Sequence, residues 1–278
     1  MTGRVLIVAG SDSGGGAGIQ ADIMTVTMLG GYAATAITAL TAQNTLGVFG
    51  VLPIEPSFVV QQMQVVLSDI GADTIKIGML HSAEIVEKVA DACEAYAFGV
   101  PIVLDPVMVA KGGAALLEPS ARDALVGLLF PRAALVTPNV PEAEALTGVK
   151  IADEAGLNRA AERLLLRGPS AVLVKGGHLS GETVIDILAT ADGARHRFES
   201  PRLSTRSTHG TGCTLASGIA AGIAEGLTLH DSVARARDFV LAAMRTAPGY
   251  GEGHGPLNHA YPVAVLRAER EHEHETLH

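Results

Sequence analysis

Short runs rich in β-branched residues alternate with longer helical patterns along this chain, and that alternation limits its fold more than any single motif. Strand-like runs occupy Arg4–Ala9, Tyr32–Leu40, Asp73–Met79, Pro101–Pro106, Ala133–Thr137 and Ala171–Lys175. Helical patterns fall between most of them, at Ala17–Leu29, Pro56–Ile70, Ala83–Phe98, Pro119–Leu129, Glu142–Thr147 and Glu154–Arg167. Strands alternating with helices imply right-handed crossovers and a mainly parallel sheet covered by helices on both faces. Thr183–Ala189 and Arg195–Glu199, joined by a turn containing Asp192-Gly193, read instead as a small antiparallel hairpin at one edge. Helices over Cys213–Glu225 and Thr228–Arg245 close the pattern. The expected class is α/β. A single domain is expected over residues 1–266, since no internal repeat or long Pro/Gly/Ser linker divides them. The tail 267–278 is charged and carries His272, His274 and His278. It reads as a solvated, disordered extension, because no scaffold fixes those imidazoles as metal ligands.

Composition narrows the partners. Of 278 residues, 48% are apolar and 18% charged, enough for a substantial core. The net charge is −9, and basic residues gather in nothing larger than pairs such as Arg195/Arg197. That balance argues against nucleic acid or an anionic membrane as the main partner, while an anionic substrate needs only a local positive site. Two cysteines, Cys93 and Cys213, and no signal-peptide pattern point to a reducing cytoplasm. No apolar run reaches membrane-spanning length. Gly218, Gly222 and Gly226 repeat at a spacing used by close-packing helices, and Glu225 fits a soluble one. Cys93, within the helical pattern Val86–Tyr96, reads as a packing residue.

In open α/β sheets, ligands collect at the carboxyl ends of the strands. The polar and glycine-rich segments of this chain lie there: Gly10–Gly18, Thr41–Asn44, Gly78–His81, Asp105–Gly113, Thr137–Glu142 and Lys175–His178. Thr208-His209-Gly210-Thr211-Gly212-Cys213 then leads into a helix of small residues. Its glycines let the backbone approach a ligand, and the helix N-terminus offers unpaired N–H groups to an anion. Cys213 sits on the first turn, where the helix dipole is expected to favour a thiolate. Phosphoryl or acyl transfer fits such a cradle. A glycine-rich helix start with an inert cysteine is the alternative.

The first loop, Gly10-Ser-Asp-Ser-Gly-Gly-Gly-Ala-Gly18, comes close to the dinucleotide fingerprint, but no acidic residue ends the next strand. It is not a Walker A loop, because no Lys-Ser/Thr follows the glycines. Phosphate handling would then need a lysine from elsewhere, and Lys175 ends a strand before Gly176-Gly177. Asn139 and Glu142 stand three apart at a strand end and helix start. They read either as a cap with its capping-box partner or as an amide and carboxylate orienting hydrated Mg²⁺. Asp105, at another strand end, can join that second arrangement.

Taken in order, these blocks resemble the ribokinase superfamily, and within it the hydroxymethylpyrimidine/phosphomethylpyrimidine kinases of thiamin biosynthesis. The resemblance runs from Ala9–Asp22 through Ile37–Asn44, Lys76–Met79, Leu104–Lys111, Thr137–Glu142 and Lys175–His178 to His209–Cys213. It implies a ribokinase-like fold and ATP-dependent phosphorylation of 4-amino-5-hydroxymethyl-2-methylpyrimidine, then of its monophosphate to the diphosphate. It assigns Gln43 to the pyrimidine edge and Met79 and Val107 to the ring, with Asp22 and Gly10 nearby. Asp105 and Glu142 would serve Mg²⁺, while Asn139, Thr211 and Gly212 would bind the nucleotide. Lys175 would neutralise the transferring phosphates, Gly210 and Gly212 would frame the anion hole, and Cys213 would be the base, where many relatives have Asp. By the same analogy a homodimer is expected. Arg237 stands where relatives often carry Lys and is given no nucleotide role. The loop Met108–Gly113 lacks the second cysteine of related pyridoxal kinases, which weakens that alternative without removing it. Two further classes stay open: an oxidoreductase using the first glycine loop, and a non-catalytic binding domain.

Overall fold

Every residue of the first strand is apolar from Val5 to Ala9, which suits a strand covered on both sides. The computed structural model describes residues 2–109, 113 and 116–266. In it β1 (Arg4–Asp12) pairs in parallel with β2 (Tyr32–Gln43) on one side and β4 (Thr74–Ile77) on the other. Parallel pairing continues through β5 (Ile102–Leu104), β6 (Leu135–Val136) and β7 (Ala171–Lys175). With β3 (Val48–Pro53), β8 (Thr183–Thr190) and β9 (Arg195–Pro201) added, the full order is β3-β2-β1-β4-β5-β6-β7-β8-β9. The expected hairpin is present as β8 and β9, antiparallel beyond β7. A second antiparallel strand, β3, borders the opposite edge and was not anticipated.

Two apolar layers sandwich the sheet. Leu6 and Val8 of β1 face the layer built by α2 (Pro56–Asp69), α3 (Ala83–Tyr96), α5 (Val140–Thr147) and α6 (Glu154–Leu165). Val5, Ile7 and Ala9 face the opposite layer, built by α1 (Gly18–Met28), α7 (Thr211–Ala224) and α8 (Leu229–Arg245). The small-residue repeat of α7 serves close packing: side-chain carbons built on Gly218 and Gly222 would lie 2.9 Å from Ala236 and 2.6 Å from Ser232 of α8. Cys93 is buried in the first layer, as its packing role required.

The segment expected as one helix over Pro119–Leu129 begins as α4 (Pro119–Ala124), then widens into a π turn over Leu125–Leu129. Leu125, Leu129 and Phe130 are all fully buried there, so packing decides the local geometry. The chain leaves β1 for β2 and β3 on one side, then crosses to β4 on the other, so the order of the sheet reverses beside β1. A crevice opens at the carboxyl ends of strands at such a switch point. Ala110–Gly112 and the tail 267–278, for which an expectation was set out above, lie outside the described residues.

Candidate active site

A cavity of about 810 Å³ opens over the carboxyl ends of β1, β4, β5 and β7. Gly10, Gln43, Met79, Asp105, Val107, Asn139, Glu142, Lys175, Gly210, Thr211, Gly212 and Cys213 all line it. Of the residues singled out in the sequence, Asp22 alone is not on its wall. It is fully buried beneath, where Lys76 Nζ donates to its Oδ2 at 2.7 Å and Ser217 Oγ donates to its Oδ1 at 2.7 Å. Lys76, which Asp22 holds, does line the cavity.

At one end of the cavity, charge is concentrated. Lys175 Nζ donates to Asp105 Oδ1 at 2.9 Å, and Thr137 Oγ1 donates to the same atom at 2.8 Å. Burial opposes ionisation of Asp105, yet Lys175, Lys76 and Thr137 together hold its carboxyl below the usual range. The first turn of α7 comes against this pair. A side-chain carbon on Gly212 would sit 3.4 Å from Lys175 Nζ and 3.5 Å from Asp105 Oδ2. The N-terminus of α7 has no side-chain cap, so its N–H groups face the cavity unclaimed by the chain's own cap. Gly210 precedes it with φ +82°, and any side chain there would strike the Gly16 carbonyl oxygen.

Asn139 and Glu142 form the full capping box of α5: Glu142 N–H donates to Asn139 Oδ1 at 2.9 Å and Asn139 N–H to Glu142 Oε2 at 2.8 Å. Both readings of the pair are therefore compatible, because the same two residues also line the cavity. Burial, and the nearby Asp105 carboxylate, push Glu142 up to about 7, against the opposing pull of Lys175.

Cys213 overturns one expectation. Its helix-start position pointed to an acidic thiol, but burial pushes it up to about 11. Lys76 and the Gly18 N–H favour the thiolate, while the Asp22 and Asp105 carboxylates oppose it. Loss of hydration for a buried anion outweighs the partial charge of one helix terminus.

At the other end of the cavity an apolar wall forms, with Met79, Val107, Leu116 and Ala39 packed into one small cluster. Over it stands a network that the sequence reading did not identify. Asp12 accepts from the N–H groups of Gly14 (2.8 Å), Gly16 (3.1 Å) and Ala17 (2.8 Å), and its Oδ2 lies 2.9 Å from His209 Nε2. Despite burial, His209 and those N–H groups hold Asp12 below the usual carboxylate range. Gln43 meets the same His209 nitrogen at 3.1 Å. Lys76 was also missed. A lysine inside the buried strand Thr-Ile-Lys-Ile is its own signal, since Lys is rarely buried unpaired.

Residues 12–258 match the family model described as phosphomethylpyrimidine kinase. Over 266 residues the chain is 54% identical to the thiamine biosynthesis bifunctional protein ThiED of Geobacter sulfurreducens, covering 95% of this chain but 54% of that protein. It is 48% identical over 259 residues to the hydroxymethylpyrimidine/phosphomethylpyrimidine kinase of Haemophilus influenzae, covering 92% of this chain and 96% of that one. Among solved structures, the ADP complex of Bacillus subtilis pyridoxal kinase superimposes with a TM-score of 0.85 at 30% identity, covering 94% of this chain and 98% of the other.

Proposed function

The chain belongs to the phosphomethylpyrimidine kinase family, and from that premise we propose that it transfers the γ-phosphoryl group of ATP to 4-amino-5-hydroxymethyl-2-methylpyrimidine, then to the resulting monophosphate. The observation that carries this reading is the meeting, in one cavity, of the uncapped α7 terminus, the Lys175–Asp105 pair and the Gln43–Met79–Val107 wall. The first two suit a transferring phosphate and the third a flat, polar-edged ring.

In the proposed reaction the hydroxyl oxygen attacks the γ-phosphorus, the bond to the bridging oxygen of ADP breaks, and the hydroxyl proton passes to the Cys213 thiolate. Phosphoryl transfer depends on positioning and charge neutralisation more than on covalent chemistry. Lys175 and the N–H groups at Gly210–Gly212 would stabilise the equatorial oxygens, with Thr211 and Asn139 holding the nucleotide phosphates. With a proton affinity as high as its surroundings give it, Cys213 is a strong base that is sparsely ionised at neutral pH.

The site suits Mg²⁺. Asp105 and Glu142 supply oxygen donors, few enough to leave room for water and phosphate. Burial is the main cause that pushes the Glu142 carboxyl up, and a divalent cation bound beside it would favour the ionised, ligating form. Bound there, Mg²⁺ would neutralise phosphate charge.

The finer points of the reading are a single domain over residues 1–266, a cytoplasmic location and a homodimer. Among the described residues no helix is long and apolar enough to cross a membrane. Leu46, Phe49 and Leu52, each exposed by more than half at the β2–β3 edge, would supply the dimer contact. The fold shared with a pyridoxal kinase supports phosphorylation of pyridoxal as the second reading. Phosphorus NMR of a mixture with Mg-ATP and the pyrimidine alcohol is the test. A new phosphomonoester, followed by a diphosphate, is expected. Only ADP and inorganic phosphate would contradict the proposal.

A further inference from the structure

We propose that Asp12 and His209 are positioning residues that lock the Gln43 amide with Oε1 toward His209, and so fix the order of donor and acceptor presented to the substrate ring. The proposal rests on the reading that Gln43 meets that ring.

The argument is one of proton counting. Asp12 is an ionised carboxylate already accepting three backbone N–H groups. His209 Nε2 lies 2.9 Å from its Oδ2, a contact that is attractive only if Nε2 carries a proton. That same nitrogen lies 3.1 Å from the Gln43 amide. With Nε2 of Gln43 on that side, two donors would face each other. A second conflict stands at the other end of the amide. Thr41 Oγ1 lies 2.9 Å from the Ser11 carbonyl oxygen and 3.2 Å from the remaining Gln43 amide atom. With Oε1 on that side, one hydroxyl proton would be shared between two acceptors while the facing donors at His209 stay unrelieved. Turning the amide by half a rotation removes the facing donors and frees the Thr41 proton, leaving the His209 Nε2–H shared between two acceptors. Oε1 then shares the His209 Nε2–H with Asp12 Oδ2 in a three-centre bond, Nε2 donates to Thr41 Oγ1, and the Thr41 hydroxyl donates to the Ser11 carbonyl oxygen.

The imidazole is itself held in place. A side-chain carbon on Gly16 would lie 2.4 Å from the His209 ring, so the first glycine loop is open where the ring lies. The His209 backbone N–H donates to the Gly255 carbonyl oxygen at 3.1 Å, fixing the main chain that carries the ring. The two glycine loops, 197 positions apart at Asp12 and His209, thus interlock at the ring end of the cavity. A locked amide offers one acceptor and one donor in a set order. A ring with an amine beside a ring nitrogen completes both bonds, whereas a ring lacking the amine leaves the amide oxygen unpaired.

The test is a double-variant cycle on the full chain with Mg-ATP and the aminopyrimidine alcohol. His209→Phe keeps a flat ring and removes the N–H. It should raise KM for the alcohol about tenfold, the scale of one lost buried hydrogen bond, while KM for ATP moves less than twofold. In a Gln43→Met background the same change should shift KM for the alcohol less than twofold. Independent, additive losses, or equal loss in both KM values, would overturn the proposal. A ¹⁵N NMR spectrum of the unaltered chain gives a readout free of folding effects: His209 should carry its proton on Nε2, and an unprotonated Nε2 contradicts the proposal. If the unaltered chain leaves the alcohol untouched, the functional reading fails, while the tautomer still decides the positioning claim.

Discussion

The two ends of the cavity are built on opposite principles. At the phosphate end, Lys175, Asp105 and the first turn of α7 crowd charge into a buried space. Little there is specific to one acceptor alcohol. At the ring end, the wall is apolar and the decisive group is an uncharged amide, Gln43, held by Thr41 and His209. Little there is suited to phosphate. The contrast separates what makes the chain a phosphotransferase from what would make it choose a ring. It also explains how a pyridoxal kinase can share this fold so closely.

Beneath the cavity, near Asp105 and Cys213, stands the Lys76–Asp22 pair, fully buried. Lys76→Met leaves the Asp22 carboxylate without its cation and should cost about 3–5 kcal/mol of stability, read by chemical denaturation. Loss below 1 kcal/mol would mean that the buried pair is not a support of the cavity floor. Lys175→Ala should damage the phosphate end selectively, lowering kcat by roughly a hundredfold or more while KM for the alcohol stays near its original value. Cys213→Ala should lower the rate on the order of a hundredfold, and Cys213→Asp should retain measurable activity. Because the thiol is pushed up to about 11, the rate with native Cys213 should climb with pH across the neutral and alkaline range. The aspartate variant, carrying a more acidic group, should reach its plateau at lower pH. Iodoacetamide should modify Cys213 more slowly than a free cysteine, yet faster than Cys93, which burial pushes up to about 12. Gln43→Met should weaken the ring end alone, by about 1–3 kcal/mol in alcohol binding with ATP binding unchanged. Equal losses on both substrates would erase the distinction.

Much of this arrangement was legible in the sequence, for particular reasons. β7 falls on the anticipated Ala171–Lys175 because its four apolar residues are buried and Lys175 ends them. The glycine loops marked the crevice because anion binding by backbone leaves glycine as its trace. β3 was not legible: Gly50 and Pro53 interrupt Val48–Pro53, and most of its side chains are exposed on an edge that shows no alternation. Asp12, His209 and Lys76 stood inside quoted motifs, but their partners lie far along the chain, where no local pattern reaches. The acidity of Cys213 was misjudged because helix position is visible in a sequence and desolvation is not.

The central claim is that the ring end selects an aminopyrimidine alcohol for the phosphate end to act upon. ADP release with Mg-ATP, measured against a panel of pyrimidine and pyridoxine-type alcohols, tests it most directly. The expected result is kcat/KM at least tenfold higher for 4-amino-5-hydroxymethyl-2-methylpyrimidine than for pyridoxal, the scale of one unpaired buried polar group. Equal turnover of both rings, or preference for pyridoxal, would contradict the account.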